Sequence, residues 1–159
     1  MSKVESIEVF LVDLSQDKPY LGSLREGEEV NEAGYFVRKG NRTVYPRKNR
    51  SLVVKLRTVD GVVGWGETYG LVAPKATAAI IQDLLACFVI GRDPADREEL
   101  HDELYDLMRV RGYTGGFYVD ALAAIDIALW DIAGKTEEKS IAQLVSDKTA
   151  PKIPAYVSG

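Results

Sequence analysis

The sequence predicts an α+β fold, with a three-stranded antiparallel meander followed by a bundle of three to four helices. A first alternating apolar pattern, typical of a strand, covers Val4–Leu14. Two more alternating segments, 51–58 and 62–69, are separated by Asp60-Gly61, the strongest short-range hairpin signal. From Pro74 onward, apolar residues recur at steps of three and four, which indicates helices. The strands are therefore expected before the helices.

Length and composition are ordinary for a soluble globular domain. The chain has 159 residues, of which 46% are hydrophobic and 28% charged. A net charge of −4 gives no reason to expect nucleic acid or an anionic membrane as partner. Cys87 is the only cysteine, which excludes an internal disulfide and fits a reducing, cytoplasmic setting. The N-terminus lacks the layout of a signal peptide, and no apolar run reaches the roughly 18 residues of a membrane span.

The long segment 15–50 separates the first strand from the hairpin and is rich in Gly, Asn and charge. Such a loop inside a compact domain is usually a functional lid or disordered. Residues 35–38 and 43–45 flank Lys39-Gly40-Asn41-Arg42 and predict a small two-stranded flap. The first strand is expected to be covered on both faces in its second half, because Phe10, Val12 and Leu14 are all apolar.

Between residues 38 and 50 the chain carries six basic residues and no acid, whereas acids lie upstream at Asp17, Glu26, Glu28, Glu29 and Glu32. One interpretation is anion recognition, because the planar guanidinium of Arg suits carboxylates. The other is a solvated, charge-balanced loop. The sequence leaves both open.

Four helices are predicted. The first begins at Pro74 and ends at Gly91, with its buried face at Ala76, Ala79, Ile80, Leu84, Cys87 and Phe88. Asp93 caps the second, in which Leu100, Leu104, Leu107 and Met108 line one side. The third covers most of 113–135 and is expected to end at Gly134. Ser140 caps a short fourth helix with the inner face Ile141, Leu144 and Val145.

The third helix is the most apolar segment of the chain. Its stripe consists of Leu122, Ile125, Leu129 and Ile132, while Ala121, Ala124 and Ala128 allow another element to come close. Asp126 and Asp131 lie about 140° apart around the helix, so a shared metal or acid/base pair is disfavoured. Each is expected to cap a backbone group or to pair with an Arg. His101, the only histidine, is expected at the surface.

Three motifs carry a resemblance to a known family, and they are followed by Ile153-Pro154-Ala155-Tyr156. They are Gly61-Val62-Val63-Gly64-Trp65-Gly66-Glu67, Gly91-Arg92-Asp93-Pro94 and the segment 124–135. In this order and spacing they resemble the mandelate racemase and muconate lactonizing enzyme branch of the enolase superfamily. Leu144-Val145-Ser146-Asp147 departs from the Leu-Leu-Gly-Gly turn that the family usually has there.

The resemblance implies a capping domain at 1–150 that covers the mouth of a (β/α)8 barrel. Residues 151–159 are then a linker and the first strand of that barrel. In the family the barrel carboxylates hold Mg²⁺, a Lys or His removes the proton next to the substrate carboxylate, and the metal stabilises the enediolate. No catalytic or metal-binding residue is assigned in this chain. The parent protein is expected to be a carbon–oxygen lyase or an isomerase, often assembled as a homo-oligomer.

The resemblance also implies that the loops after the first and third strands choose the substrate and exclude water. The expected substrate-binding residues are Tyr20, Arg25, Tyr35, Arg38, Tyr69 and Leu71. A polar acid, including one with two charges, fits them, and acid-sugar dehydration follows: loss of the proton alpha to a carboxylate, then of the beta hydroxyl. The alternatives are a racemase or cycloisomerase of the same branch, a non-catalytic anion-binding module and, less favoured, nucleic-acid binding through 38–50.

Overall fold

A computed structural model of the chain describes residues 2–19, 21–146, 152 and 154–156. The described part contains five strands: β1 Val4–Leu14, β2 Tyr35–Arg38, β3 Thr43–Pro46, β4 Asn49–Thr58 and β5 Val63–Tyr69. One antiparallel sheet has the order β1-β4-β5, and β2 and β3 form a separate two-stranded flap. The predicted meander, the hairpin at Asp60-Gly61 and the flap are confirmed.

The helical half follows the sheet. Its elements are α1 Pro74–Ala79, a π-helical segment Ile80–Leu85, α2 Ala86–Val89, a 3₁₀ turn Pro94–Asp96, α3 Arg97–Arg109, α4 Phe117–Glu137 and α5 Ile141–Val145. The predicted cap at Asp93 is confirmed, because its carboxylate accepts a hydrogen bond of 2.9 Å from the backbone N of Ala95. Leu100 and Leu104 of α3 are buried, as expected. Leu107 is 37% exposed and does not belong to that buried face.

The predicted buried face of the first helical segment was wrong by about one position. Thr77, Ile81, Leu85 and Val89 are buried, whereas Ala79, Cys87 and Phe88 are exposed. The buried residues recur every fourth position, and the π-helical segment in their middle explains why. Its turns are wider than those of an α-helix, so a strict α-helical period assigns the wrong face.

Helix α4 lies across the inner face of the sheet and contributes more buried residues to the core than any other described element. Its apolar stripe, Leu122, Ile125, Leu129 and Ile132, is at most 2% exposed, which confirms the prediction. Each of these side chains stabilises the fold by roughly 1.5–3 kcal/mol through burial. The helix also approaches β5 closely: a Cβ added at Gly66 would lie 1.9 Å from the carbonyl oxygen of Ala124. The small residues predicted to allow close approach therefore do so.

Helix α4 does not end at Gly134, as the sequence had suggested. It continues to Glu137, and Glu138 adopts the left-handed conformation with φ of 53°. The carbonyl oxygen of Gly134 accepts the backbone N–H of Lys139 at 2.9 Å, and a Cβ on Gly134 would lie 2.8 Å from the carbonyl oxygen of Lys139. Gly134 is therefore needed for the chain to fold back on the last turn, rather than to terminate the helix.

Two further expectations about burial were wrong. The second half of β1 is not covered on both faces, because Phe10, Leu11 and Leu14 are 40%, 44% and 50% exposed. The cap of α5 is confirmed, since Ser140 and Gln143 form a reciprocal capping box. The predicted inner face of α5 is not, because Ile141 and Val145 are exposed and only Leu144 is half-buried.

Among the residues that the structure describes, no single helix has both the length and the apolar character needed to span a membrane. The segments Pro74–Val89 and Pro94–Arg109 meet these criteria only when taken together, and they are bent by 116° at the break between them.

Candidate functional site

An open cleft lies at the end of the sheet where β1 and β5 finish and β4 begins. Its volume is about 660 Å³, which is in the range of small-molecule sites. Residues from all three strands, from the segment after β5 and from α4 line it; they include Leu14, Arg50, Ser51, Glu67, Tyr69 and Leu71. The cleft therefore lies where the two loops expected to choose the substrate meet the sheet.

Two of the sequence-predicted site residues, Tyr69 and Leu71, line this cleft. Tyr69 is 48% exposed at the end of β5, and Leu71 is buried just beyond it. Gly70 lies between them against β4, where a Cβ would come within 2.6 Å of the Ser51 carbonyl carbon. A glycine at this position is thus required for the chain to turn from β5 into the second loop.

Tyr35, a third predicted residue, connects the flap to the second loop. Its hydroxyl oxygen accepts hydrogen bonds of 3.1 Å from Arg50 Nη1 and of 3.1 Å from the backbone N of Ala73. Ala73 precedes α1 and has a left-handed backbone with φ of 48°. The flap, β4 and the second loop are therefore joined at one oxygen atom next to the cleft.

Arg50 is the charged residue of the cleft that sequence reasoning did not single out. Its Nε lies 3.2 Å from Asp13 Oδ1, and its guanidinium lies over the Tyr35 ring at 5.3 Å from the centroid. Lys48 shares the same carboxylate at 3.1 Å. The signal was present in the predicted pairing of β1 with β4, because antiparallel register brings Asp13 opposite Arg50.

Arg38 is buried away from the cleft and is engaged within the loop itself. Its Nη1 donates to Glu28 Oε2 at 2.8 Å, and its two Nη atoms also donate to the carbonyl oxygens of Ser23 and Leu21. The side chains of Arg38 and Glu28 are 6% and 0% exposed. Arg38 thus holds the first loop onto the flap, a role that the basic run 38–50 did not reveal.

Glu28 is the centre of this loop structure. Burial by itself would raise the pKa of its carboxyl, but hydrogen bonds from the backbone N–H groups of Arg25 and Lys39, together with the charge of Arg38, hold that pKa below its ordinary value. The two backbone bonds are both 2.9 Å long. The Glu28 carboxylate is therefore charged at neutral pH and organises three segments of the loop.

Of the two remaining predicted residues, Arg25 has an exposed side chain in the first loop and is not part of the cleft lining. Tyr20 lies outside the described residues. The structure thus brings Tyr69 and Leu71 to the cleft, places Tyr35 against Arg50, which lines the cleft, and separates Arg38 from them.

The two aspartates of α4 have structural partners. Asp131 Oδ2 accepts the backbone N–H of Trp65 at 2.8 Å and the ammonium of Lys135 at 2.6 Å, and Lys135 in turn donates to the carbonyl oxygen of Val63. Asp131 and Lys135 therefore satisfy the outer backbone groups of the edge strand β5. This confirms the backbone-capping role expected for Asp131.

Asp126 has a different partner from the Arg that was expected. Its Oδ1 lies 3.7 Å from Nδ1 of His101, which is 43% exposed on α3. Burial raises the pKa of Asp126, and the proximity of His101, a hydrogen bond with the Trp130 side chain and the charge of Arg97 reduce that effect. Within the described ranges, no group of three or more His, Cys, Asp or Glu side chains is arranged to hold a metal ion.

Comparison with known proteins identifies the family. The model of the mandelate racemase / muconate lactonizing enzyme N-terminal domain matches residues 41–146. The chain therefore belongs to the mandelate racemase / muconate lactonizing enzyme family through its N-terminal domain.

Two curated relatives match over about 110 residues. A D-galactarolactone cycloisomerase of Agrobacterium fabrum is 38% identical over 68% of this chain and 28% of its own length. A D-galactonate dehydratase of Xanthomonas euvesicatoria pv. vesicatoria is 34% identical over 72% of this chain and 29% of its own length. The matched region thus spans less than a third of either relative.

Solved structures share the fold. A member of the enolase superfamily from Agrobacterium tumefaciens superposes with a TM-score of 0.86 at 64% identity, over 91% of this chain and 37% of that one. A Sinorhizobium meliloti protein in an open loop conformation superposes with a TM-score of 0.83 at 60% identity, over 91% of this chain and 36% of that one. A mandelate racemase/muconate lactonizing protein of Paracoccus denitrificans, complexed with magnesium, superposes with a TM-score of 0.63 at 25% identity. This match covers 91% of this chain and 30% of that one.

Proposed function

We propose that this chain is the substrate-capping domain of an enzyme that acts on an acid sugar, either as a dehydratase or as a cycloisomerase. The observation that carries the proposal is that two relatives above 30% identity, with different reactions, act on galactose-derived acids or lactones by their names. The polar lining of the cleft, with Arg50, Ser51 and Glu67, supports it, because hydroxyl-rich molecules are bound by such donors and acceptors.

The proposed chemistry begins with abstraction of the proton alpha to the substrate carboxylate. In a dehydratase, loss of the beta hydroxyl follows with the help of a general acid. In a cycloisomerase a lactone ring opens or closes by isomerisation. Because the chain is more similar to the galactarolactone cycloisomerase than to the galactonate dehydratase, at 38% against 34% identity, we propose cycloisomerisation as an equal alternative to dehydration. A racemase of the same branch has no such observation in its favour.

The residues of this chain are proposed to bind, orient and enclose the substrate, while the reacting groups lie elsewhere in the protein. The described residues do not fit Mg²⁺, because they contain no suitable cluster of ligands. The magnesium named for the Paracoccus denitrificans structure therefore supports a Mg²⁺ site in a barrel domain that follows this one. The division into a capping domain at 1–150 and the start of a barrel at 151–159 stays part of the proposal.

The segment 15–50 is proposed to be a lid over the cleft. Its polar links to the rest of the domain include the bond from the Ala73 backbone N to the Tyr35 hydroxyl and the pairs of Lys48 and Arg50 with Asp13. Such partly exposed polar links suit a segment that opens. The open loop conformation named for the Sinorhizobium meliloti structure supports a moving loop in this chain as well. Closure would exclude water from the reacting carbon.

The proposed substrate contacts are Tyr35, Tyr69 and Leu71 at the cleft, with Tyr20 and Arg25 contributing from the lid. Arg38 is proposed to act on the substrate only indirectly, because its guanidinium is bound to Glu28. Homo-oligomerisation, a cytoplasmic location and the absence of a nucleic-acid or membrane partner also remain proposals.

A substrate panel tests the proposed function. The full-length protein, supplied with Mg²⁺, is incubated with galactarate, D-galactonate and D-galactarolactone. A dehydratase converts galactarate or D-galactonate, with loss of water, into a keto acid that reacts with semicarbazide. A cycloisomerase that opens the lactone expels the ring oxygen from the beta carbon and gives a keto acid of the same mass as the lactone. Proton NMR therefore distinguishes the two reactions by which compound is consumed. If none of the three compounds is consumed, the acid-sugar assignment is wrong.

A further inference from the structure

Arg50 extends the buried side of β4 into the cleft. Leu52, Val54 and Leu56 alternate along the strand and are all fully buried beneath the helices. Arg50 lies two residues before Leu52, so it is on the same side of the strand, at the point where the core ends. Its side chain is 19% exposed and lines the cleft. The buried side of β4 is thus apolar from Leu56 to Leu52 and ends with the guanidinium of Arg50 at the wall of the cleft.

The guanidinium is held on more than one side. Asp13 contacts Nε, Tyr35 accepts from Nη1, and the Tyr35 ring lies beneath the planar group. A long Arg side chain normally loses rotamer freedom when it binds a ligand. Here these contacts have already restricted it, which lowers the entropic cost of binding.

Most of the hydrogen-bonding capacity of the Arg50 guanidinium is still available. A guanidinium has five N–H donors. Within the part of the chain that the structure describes, its hydrogen bonds amount to the one from Nη1 to Tyr35. The remaining N–H donors of a residue that lines the cleft can therefore serve a ligand.

The charges around Arg50 leave a positive excess. Asp13 is shared between Arg50 and Lys48, at 3.2 and 3.1 Å, so one carboxylate faces two cations. Glu67 also lines the cleft, but it pairs with Val53 across the strands and so belongs to the opposite side of the sheet from Arg50. The Arg50 side of the cleft is accordingly suited to an anion.

We propose that Arg50 binds a carboxylate at the end of the substrate remote from the reacting carbon, and that Tyr35 and Asp13 are its positioning residues. This inference rests on the proposed function and adds to it: an acid sugar with carboxylates at both ends is the preferred substrate. A terminal hydroxymethyl group would lose the charge-assisted hydrogen bonds that a carboxylate receives from a planar guanidinium.

Tyr35 adds a link between recognition and closure. Because its hydroxyl oxygen also accepts from the backbone N of Ala73, the flap, Arg50 and the second loop are aligned together. When the flap moves away, Arg50 loses one of its supports. Asp13 still holds Nε, so closure of the flap completes the alignment of the guanidinium.

The test uses the full-length protein as wild type and as the variants Arg50→Gln, Arg50→Lys and Tyr35→Phe. Arg57→Gln is the control, because Arg57 makes an exposed ion pair with Glu5 near the other end of β4. Values of kcat/KM are measured for galactarate, which has two carboxylates, and for D-galactonate, which has one. Arg50→Gln should lower kcat/KM for galactarate about 10- to 100-fold more than for D-galactonate. Arg50→Lys should recover only part of the loss, since it keeps the charge without the planar fork.

Tyr35→Phe should raise KM for galactarate with little change in kcat, and should speed hydrogen exchange of the Ala73 amide. If Arg50→Gln changes both substrates by the same factor, or no more than Arg57→Gln does, the assignment of Arg50 is overturned. If the wild type consumes neither of these compounds nor D-galactarolactone, the proposed function fails. Calorimetric titration with galactarate then decides on Arg50 separately: weaker binding to Arg50→Gln supports its role, and equal binding refutes it.

Discussion

The seam between α4 and β5 and the first loop with its flap are held together by different forces. At the seam, backbone meets backbone: Gly64 and Gly66 face Ala128 and Ala124 so closely that no Cβ fits between them. In the loop, the polar contacts centre on the buried pair of Glu28 and Arg38 and on the Tyr35 hydroxyl, with one buried aromatic ring, Phe36, beside them. The first region has no alternative arrangement without a void or a clash, whereas the second can exchange its hydrogen bonds for water.

This difference teaches which part of the domain is rigid and which part can move. Close apolar contact is lost steeply with small displacements, so the seam opens only when the domain unfolds. The partly exposed hydrogen bonds that join the loop to the rest of the domain, such as those of the Tyr35 hydroxyl, contribute less on balance because water replaces them. The buried pair of Glu28 and Arg38 instead holds the loop together internally. A rigid seam with a polar loop at one end is the arrangement that a capping domain with a lid requires.

The largest effect is expected from filling the seam. Gly66→Ala should destabilise the domain by about 3 kcal/mol, because the new methyl group would overlap the Ala124 carbonyl and force α4 off the sheet. Urea unfolding of the full-length protein followed by circular dichroism measures the loss. Gly115→Ala is the matched control, since a Cβ there meets nothing within 4 Å. Equal stability of the two variants would mean that the seam is not tightly packed.

A smaller loss of folding stability is expected from removing Asp131, which lies at the edge of the seam. Asp131→Ala should cost about 1 kcal/mol, because the backbone N–H of Trp65 loses its acceptor and Lys135 its partner. The same unfolding measurement applies, together with hydrogen exchange of the Trp65 amide, which should speed up. Asp106→Ala is a suitable control, because its ion pair with Arg109 is exposed on α3 and supports no strand. An unchanged Trp65 amide would argue against the capping role.

Acidification should loosen the loop before the seam. Because the pKa of Glu28 is lowered in the folded protein, its stabilisation is complete above the ordinary Glu value of 4.5 and is lost only as the pH falls through the lowered value. The amide resonances of Arg25 and Lys39, which donate to Glu28, should therefore keep their neutral-pH positions at pH 4.5 and shift at lower pH. Glu28→Gln should displace them already at neutral pH. A midpoint above 4.5 would contradict the proposed network.

The smallest effect, with the opposite sign, is expected at Asp126. Its pKa is raised by burial, so the folded state binds its proton more tightly and the charged form costs stability at neutral pH. Asp126→Asn should therefore stabilise the protein at pH 7, by less than about 1 kcal/mol since the group is partly exposed. Thermal unfolding at pH 7 measures it. A clear loss of stability would show that the His101 contact outweighs the cost of burial.

Much of the architecture could be predicted because its signals are local. The Asp60-Gly61 turn, the alternation along β4 and the apolar stripe of α4 each depend on residues close together in the chain. The buried face of 74–89 could not be predicted, because the π-helical segment changes the helical period and nothing in the apolar pattern reveals it. The open face of β1 was missed for a related reason: apolar residues indicate what can be buried, not what is available to cover them.

The candidate site was predicted less completely than the fold. Tyr69 and Leu71 line the cleft and Tyr35 contacts Arg50 beside it. In the sequence, however, Arg38 and Arg50 are two members of one basic run, and nothing in the run distinguishes them. Their different surroundings come from contacts with Glu28, ten residues away from Arg38, and with Asp13, across the sheet from Arg50. Charge composition alone carries no information on which cation is buried with its partner and which one faces a ligand.

The sequence by itself determined the order of strands and helices, the hairpin, the small residues that let α4 approach the sheet, and the resemblance to its family. All of these follow from periodicity, turn chemistry and side-chain size, which act over short stretches of chain. Only the tertiary structure decided which face of 74–89 is buried, that Asp131 caps the edge strand, and that Tyr35 joins Arg50 to the second loop. Those outcomes depend on groups tens of residues apart, whose meeting is set by how the elements pack.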